Sequence, residues 1–340
     1  MLVLGIETSC DETAAAVLED GRRILSNVVA SQAIHAQYGG VVPEYASRAH
    51  MRTIVPVVRE ALDRAGTDYD RLDAIAATNR PGLVGCLLVG VSFAKALAFS
   101  LGVPVVGVDH IEGHLFAAKL ADEALELPAV CLIVSGGHTE IVRIDGWGRY
   151  RTLGRTRDDA AGEAFDKVGK LVGLTYPAGP TIERLAVGGD SGAVAFPRAM
   201  MEEGNVDFSF SGLKTAVRYE LDRQGGTPTG RALCDLLASF QAAVVDVLVA
   251  KTIRAAEREA VATVCLGGGV AANEPLRAAL SEEAARLGFR FVVPPKSLCT
   301  DNGAVIAAAG DFLLSEGVRD DLSLSVSASR EAARAGRHAS

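Results

Sequence analysis

Short apolar runs broken by polar turns fill the first part of the chain. Residues 2–6 (LVLGI) are apolar and β-prone, ETSCDE is turn-rich, and TAAAVLED and GRRILSNVVASQ are two further apolar runs. This predicts strand, tight turn, strand, turn, strand. Between 47 and 65 the period changes: Met51, Ile54, Val55, Val58 and Leu62 recur at helical spacing. LDAIAAT then reads as a strand, GLVGCLLVGVSFAKALAFSLG as a buried helix stopped by Gly102, and PVVGVDH as another strand.

The second half restarts the pattern. AVCLIVSGGHTEIVRI, 129–144, is again strand, small-residue turn, strand. A helix near 233–257, a strand TVCLGGG, a helix NEPLRAALSEEAARLG, a strand RFVVP and a final helix from 302 follow. Two successive units with one opening imply an α/β fold built by duplication. The last stretch, SASREAARAGRHAS, has little apolar content and reads as a tail over 328–340.

Composition narrows the class. With 340 residues, 49% of them hydrophobic, the chain can bury two substantial cores. Its six cysteines stand alone with no CxxC pair, which disfavours a zinc knuckle or a disulfide scaffold and suits a reducing cytosol. The N-terminus lacks a basic region and a long apolar run, so no signal peptide is expected. No uninterrupted apolar stretch reaches ~18 residues, so no membrane span is expected either. The net charge of -8 means that a nucleic-acid partner must use a local patch or be recruited by another subunit.

Candidate chemistry lies in five places. The turns ETSCDE (7–12) and SGGHT (135–139) each read alone as hairpin turns. Their repetition favours a phosphate held between them, with glycines free to adopt positive φ and to converge N–H groups on an anion. LGGGVAAN (266–273) follows a strand and precedes a helix, but lacks both GxGxxG spacing and the Walker lysine, so a dinucleotide site and a P-loop are disfavoured. DHIEGHLFA (109–117) places His110 and His114 one helical turn apart, on one face. In zinc proteases of this pattern the glutamate directly follows the first histidine. Here Ile111 stands there, and Glu112 lies ~200° from the first histidine around the helix. Asp301, in CTDNGA, is either a plain first-turn carboxylate or a third ligand. Two histidines and one carboxylate suit Fe(II), Zn(II) or similar ions.

Taken in order, GIETSCDET, SQAIHAQYGGVVPEYASRAH, HIEGHL, VSGGHTEI, DDAAGEAFDKVGKLVGL, DFSFSGLKTAV, GGGVAANEPLR and CTDNGAVIA resemble the TsaD family over residues 1 to about 327. These are tRNA threonylcarbamoyladenosine transferases, once labelled sialoglycoprotein endopeptidases. The resemblance implies the actin-like ATPase (sugar kinase, Hsp70) fold: two lobes with duplicated ribonuclease H-like cores. It places an N-terminal lobe at 1–108, completed by about 305–327, and a C-terminal lobe at 109–304 carrying the metal and nucleotide positions.

The same resemblance implies a site. His110, His114 and Asp301 match the family's metal ligands, with Fe(II) expected and Zn(II) the alternative. Ile133, Val134, Ser135, Gly136, Gly137, Asp166, Gly179 and Asn273 match adenylate-binding positions, with Glu183 near the same ribose. Asp11 and Glu12 match positions that face the metal. His138, Asp11 and Glu12 are the candidates for moving a proton. The implied reaction transfers a threonylcarbamoyl group from threonylcarbamoyl-adenylate to N6 of adenosine 37 in tRNAs reading codons that start with A, releasing AMP. Implied partners are tRNA, a TsaB-like paralogue docking on helices such as 47–65, a TsaE-like ATPase and a TsaC-type enzyme supplying the adenylate, all in the cytoplasm. An ATPase or sugar-kinase-like phosphotransferase on the same fold is the alternative, and a metalloendopeptidase a weaker one, since Glu112 is misplaced for it.

Two positions depart from the family pattern. Ala178 replaces the first glycine of YPGGP; at a position needing positive φ it would cost about 1 kcal/mol. Arg80 replaces a glycine, either adding a cation for a partner or tRNA or lying neutrally on the surface.

Overall fold

A computed structural model describes residues 1–330; the predicted tail falls mostly on 331–340, outside the described residues. The chain forms two compact units, Met1–Leu120 with Asp301–Ser340, and Ala121–Thr300.

The first unit opens with β1 (Leu2–Glu7), β2 (Glu12–Glu19) and β3 (Arg23–Ser31), an antiparallel meander as the alternation predicts. Then come α1 (Pro43–Ala65), β4 (Ala74–Arg80), α2 (Val84–Leu101), β5 (Val105–Asp109) and α3 (His110–Ala121). The sheet order is β3-β2-β1-β4-β5, with β4 and β5 parallel to β1. Gly102 ends α2 in the left-handed conformation, φ 68°, as its sequence position predicts.

The second unit repeats this plan. It runs β6 (Ala129–Val134), β7 (Thr139–Gly146), β8 (Arg149–Arg155), α4 (Ala161–Leu171), α5 (Gly179–Ala186), α6 (Ser211–Arg223), α7 (Arg231–Arg258), β9 (Thr263–Gly267), α8 (Glu274–Leu287), β10 (Arg290–Val292) and the short α9 (Lys296–Cys299). Its sheet order, β8-β7-β6-β9-β10, is the first sheet's order strand for strand, with the same parallel and antiparallel pairings. The expected duplication is therefore present in topology.

The chain returns to the first unit with α10 (Gly303–Ser315), which packs on β1, β2 and β4. A Cβ on Gly5 would lie 2.2 Å from the Gly303 carbonyl oxygen, so backbone meets backbone there. α3 also packs on α10: a Cβ on Gly113 would lie 2.7 Å from Ile306 Cδ1. This packing draws α3 into the first unit. The divisions fall after Leu120 and Thr300 rather than at 108 and 304, so His110, His114 and Asp301 all belong to the first unit.

Two helices, α2 and α7, have the length and apolar content of membrane spans. Counting uninterrupted apolar residues did not foresee this, because isolated Ser and Lys break runs without lowering mean hydropathy much. In the fold α7 lies largely inside the second unit's core, and α2 packs on β4, β5 and α1.

Candidate metal centre and glycine turn

The histidine helix begins where β5 ends. Asp109 Oδ1 accepts from the Ile111 and Glu112 backbone N–H groups at 3.0 and 3.2 Å, and so caps the first turn of α3. That start places His110 and His114 one turn apart, rings 4.6 Å between centroids and both buried. Asp301 Oδ1 lies 3.6 Å from His110 Nε2 and 3.4 Å from His114 Nε2. One ligand atom from each of the three residues falls within 4.8 Å of the others.

Three features fit this group to a cation. Both His114 ring nitrogens are buried without a hydrogen-bond partner, which a buried imidazole rarely tolerates. Second, carboxylates crowd the same place. Burial, then the charges of Asp301 and Asp11, push the Glu12 carboxyl up to about 9. Third, His110 is oriented from behind. Glu7 Oε2 lies 2.9 Å from His110 Nδ1, and Thr78 Oγ1 donates to the same oxygen at 2.7 Å. A carboxylate on Nδ1 leaves Nε2 for the ligand side, the arrangement common behind metal-binding imidazoles. Burial alone would raise the Glu7 carboxyl, but the His110 charge and hydrogen bond hold it low.

Glu7 was missed as a site residue in the sequence. ETSCDE was read as a turn, but Glu7 is the last residue of β1 and turns inward. Asp11 and Glu12 follow in the turn and at the start of β2, both half-buried. Arg80 is neither a surface change nor a free cation. It is 14% exposed, and its Nε lies 3.6 Å from Asp109 Oδ2, behind the α3 cap.

The second unit holds the glycine turn. Ile133 and Val134 are core residues of β6, so they offer only backbone. Ser135 N–H donates to the His138 carbonyl at 2.7 Å, and His138 N–H donates to Ser135 Oγ at 3.1 Å, closing the turn. Contrary to expectation, neither Gly136 nor Gly137 has positive φ. What they leave is room, since a Cβ on either would meet nothing within 4 Å. Beneath the turn packing is tight. A Cβ on Gly162, at the start of α4, would lie 2.6 Å from the Ser135 carbonyl oxygen, and one on Gly268 (φ 89°) 2.4 Å from the Val134 carbonyl oxygen.

The other predicted nucleotide positions fall into two groups. Asp166 Oδ1 accepts from Ala178 N–H at 2.8 Å and so holds the turn before Gly179. Ala178 has φ -87°, an ordinary right-handed conformation, so the expected backbone penalty does not arise. Its Cβ fills the space over Gly169 instead, 2.1 Å from where a Cβ on that glycine would sit. Asn273 caps α8 through Leu276 N–H at 3.1 Å, while its Nδ2 donates to Glu183 Oε2 at 3.1 Å and Gln241 Oε1 at 3.0 Å. The structure thus brings Asn273 and Glu183 together. Gln241, which shares that amide, carried no sequence signal beyond its place in a long apolar helix.

Known proteins resemble this chain in sequence and in fold. The sequence pattern described as "TsaD: tRNA N6-adenosine threonylcarbamoyltransferase" matches residues 23–308. A Trichlorobacter lovleyi tRNA N6-adenosine threonylcarbamoyltransferase is 55% identical over 329 residues, covering 96% of each chain. In fold, the chain resembles Acidaminococcus fermentans (R)-2-hydroxyglutaryl-CoA dehydratase component A (TM-score 0.54, 16% identity, 91% of this chain and 96% of that one). It also resembles T. kodakarensis HypF (TM-score 0.61, 16% identity, 92% of this chain and 48% of that one).

Proposed function

This chain belongs to the TsaD family, the tRNA N6-adenosine threonylcarbamoyltransferases, and from that membership we propose how its residues share the reaction. The fold is of the actin-like ATPase type, and the activity is transfer of a threonylcarbamoyl group to tRNA. The N6 amine of the target adenosine attacks the carbonyl carbon of threonylcarbamoyl-adenylate. A C–N bond forms, the C–O bond to the phosphate breaks, AMP leaves, and N6 loses one proton.

His110, His114 and Asp301 are the residues that would hold a divalent ion, and Fe(II) is the ion we propose for two imidazoles and one carboxylate. Such an ion supplies Lewis-acid stabilisation of negative charge. Glu7 keeps His110 in one tautomer for that role. In the second unit, the Gly136–Gly137 turn takes the phosphate of the adenylate in the open space over the two glycines, while Ile133, Val134 and Ser135, whose backbone is committed to the sheet and to the turn, hold that turn in place. Asp166 fixes the approach at Gly179, and Asn273 with Glu183 takes the ribose. Orientation of the adenylate supplies much of the rate. Asp11, Glu12 and His138 are the groups proposed to take the N6 proton, Glu12 only where a bound cation offsets the carboxylate charges that raise it.

We further propose that tRNA, a TsaB-like paralogue, a TsaE-like ATPase and a TsaC-type supplier are the partners, in the cytoplasm. α1 and α2 pack on each other and expose Met51, Val55 and Leu88, an apolar strip suited to a protein partner. The six cysteines are unpaired, in keeping with a reducing compartment.

The observation that carries this reading is the buried His110–His114–Asp301 cluster in a chain of this family. The test is transfer from pre-made threonylcarbamoyl-adenylate to unmodified tRNA, read by nucleoside mass spectrometry, with the paralogue and ATPase present. Wild type should modify the adenosine and His110→Ala should not. Equal product from both would remove the metal's catalytic role. No product from wild type, where a relative works, would return the phosphotransferase reading.

A further inference from the structure

The segment SQAIHAQYGGVVPEYASRAH has no part in the chemistry above, yet it is tied to the turn that carries Asp11 and Glu12. His50 Nε2 donates to the Cys10 carbonyl at 2.9 Å, so Nδ1 is the acceptor for Thr13 Oγ1 at 2.8 Å. Gln32 N–H donates to the Asp11 carbonyl at 3.2 Å. The Gln32 side chain accepts from His35 Nε2 at 2.9 Å and donates to the Ala46 carbonyl at 3.2 Å. His35 Nδ1 in turn accepts from Val42 N–H at 3.3 Å. Each of these imidazoles therefore has one tautomer. The loop after β3, the start of α1 and the Cys10–Glu12 turn form one frame.

On the outside of that frame stand two aromatic rings. Tyr38 and Tyr45 are 48% and 43% exposed, with centroids 5.2 Å apart and planes at 42°. At ~100° per residue, Tyr45, Arg48, Arg52 and Arg59 share a stripe of ~60° on α1, opposite the buried Ile54, His50 and Ala61. Between Glu44 and Glu60 the helix carries these three arginines and no carboxylate. Arg48 pairs with Glu44, whereas Arg52 and Arg59 have no ion pair among the described residues. In a chain of net charge -8, an aromatic pair at the head of a cationic stripe has the chemistry of a single-stranded RNA surface, where bases stack and phosphates are neutralised.

We infer that Tyr38 and Tyr45, with Arg48, Arg52 and Arg59, take the unpaired loop of the RNA substrate and present it in register with the Asp11–Glu12 turn. This rests on the tRNA reading above and adds which surface binds the loop.

The experiment uses the full chain and two RNA probes: an unmodified anticodon stem–loop and the same stem as a loopless duplex. Tyr38→Ala and Tyr45→Ala should each weaken stem–loop binding about tenfold, the scale of one lost base stack, and leave duplex binding unchanged. Phenylalanine at either position should restore it, which separates stacking from misfolding. Arg52→Glu should weaken both probes and flatten the salt dependence. Alanine variants that bind the stem–loop like wild type would overturn the inference. So would variants that lose only their complex with a purified TsaB-like paralogue, which would make this a protein-docking face. Transfer to tRNA by wild type tests the activity itself. Intact wild-type transfer with an unchanged KM for tRNA in the tyrosine variants would sink this inference alone.

Discussion

Glu7 and His110, from strand β1 and helix α3, make a buried carboxylate–imidazole contact of 2.9 Å directly behind the candidate metal face. Glu7 cannot turn without losing it, because Thr78 holds the same oxygen and the Ser9 backbone N–H holds the other. Glu7→Gln keeps the shape but removes the charge that favours the Nδ1–H tautomer. It is expected to lower divalent-ion affinity roughly 10–100-fold, with little change in secondary structure. Competition against a chelating dye measures this, and unchanged affinity would show that Glu7 only fills space.

Ala178 and Gly169 should behave as a matched pair. Gly169→Ala would set two Cβ atoms 2.1 Å apart and is expected to cost about 1–3 kcal/mol. Adding Ala178→Gly should recover most of that loss. Denaturant melts of the two single variants and the double variant give the coupling directly, and strictly additive costs would contradict the packing described.

Asp158 accepts four hydrogen bonds: from the Ser209 and Ser211 hydroxyls and the Phe210 and Ser211 N–H groups, at the start of α6. Burial raises its carboxyl, but these bonds outweigh it and hold it below the ordinary carboxylate range. A lowered folded value means the stabilisation is complete at neutral pH and is lost as pH falls through that value. Asp158→Ala should therefore cost about 1 kcal/mol near neutrality. The gap to wild type should close in acid, as thermal melts across pH would reveal.

Arg80→Ala should affect stability and not RNA. Arg80 is spent on Asp109, so its loss is expected to cost roughly 1–3 kcal/mol, the scale of leaving a buried acceptor short of one partner. The salt dependence of tRNA binding should stay as in wild type. A shallower slope would restore Arg80 as a phosphate contact.

The sheets were legible because their strands are short apolar runs between strong turn signals, and both hairpins of the repeat show this. β8 and the helices α4 to α6 were not assigned. β8 (RYRTLGR) is an arginine-rich edge strand with mostly exposed side chains, so little apolar alternation marks it. α4 and α6 owe their starts to side chains elsewhere: Thr139 Oγ1 accepts from Ala161 N–H, and Asp158 from Phe210 and Ser211. His110 and His114 were visible as a spacing, but their meeting with Asp301 depends on α10 returning across the chain. Ala178 misled the sequence reading because a glycine in relatives suggested positive φ, while the position is an ordinary helical one.

That return of α10 has a consequence for synthesis on the ribosome. The first unit lacks the helix that covers β1, β2 and β4 until residues past 315 have emerged, by which time the whole second unit has already been made. Asp301 arrives with that helix, so the three-residue cluster is assembled last. A nascent chain that has not reached Asp301 carries two histidines without their carboxylate, and the enzyme cannot mature before α10 has been translated.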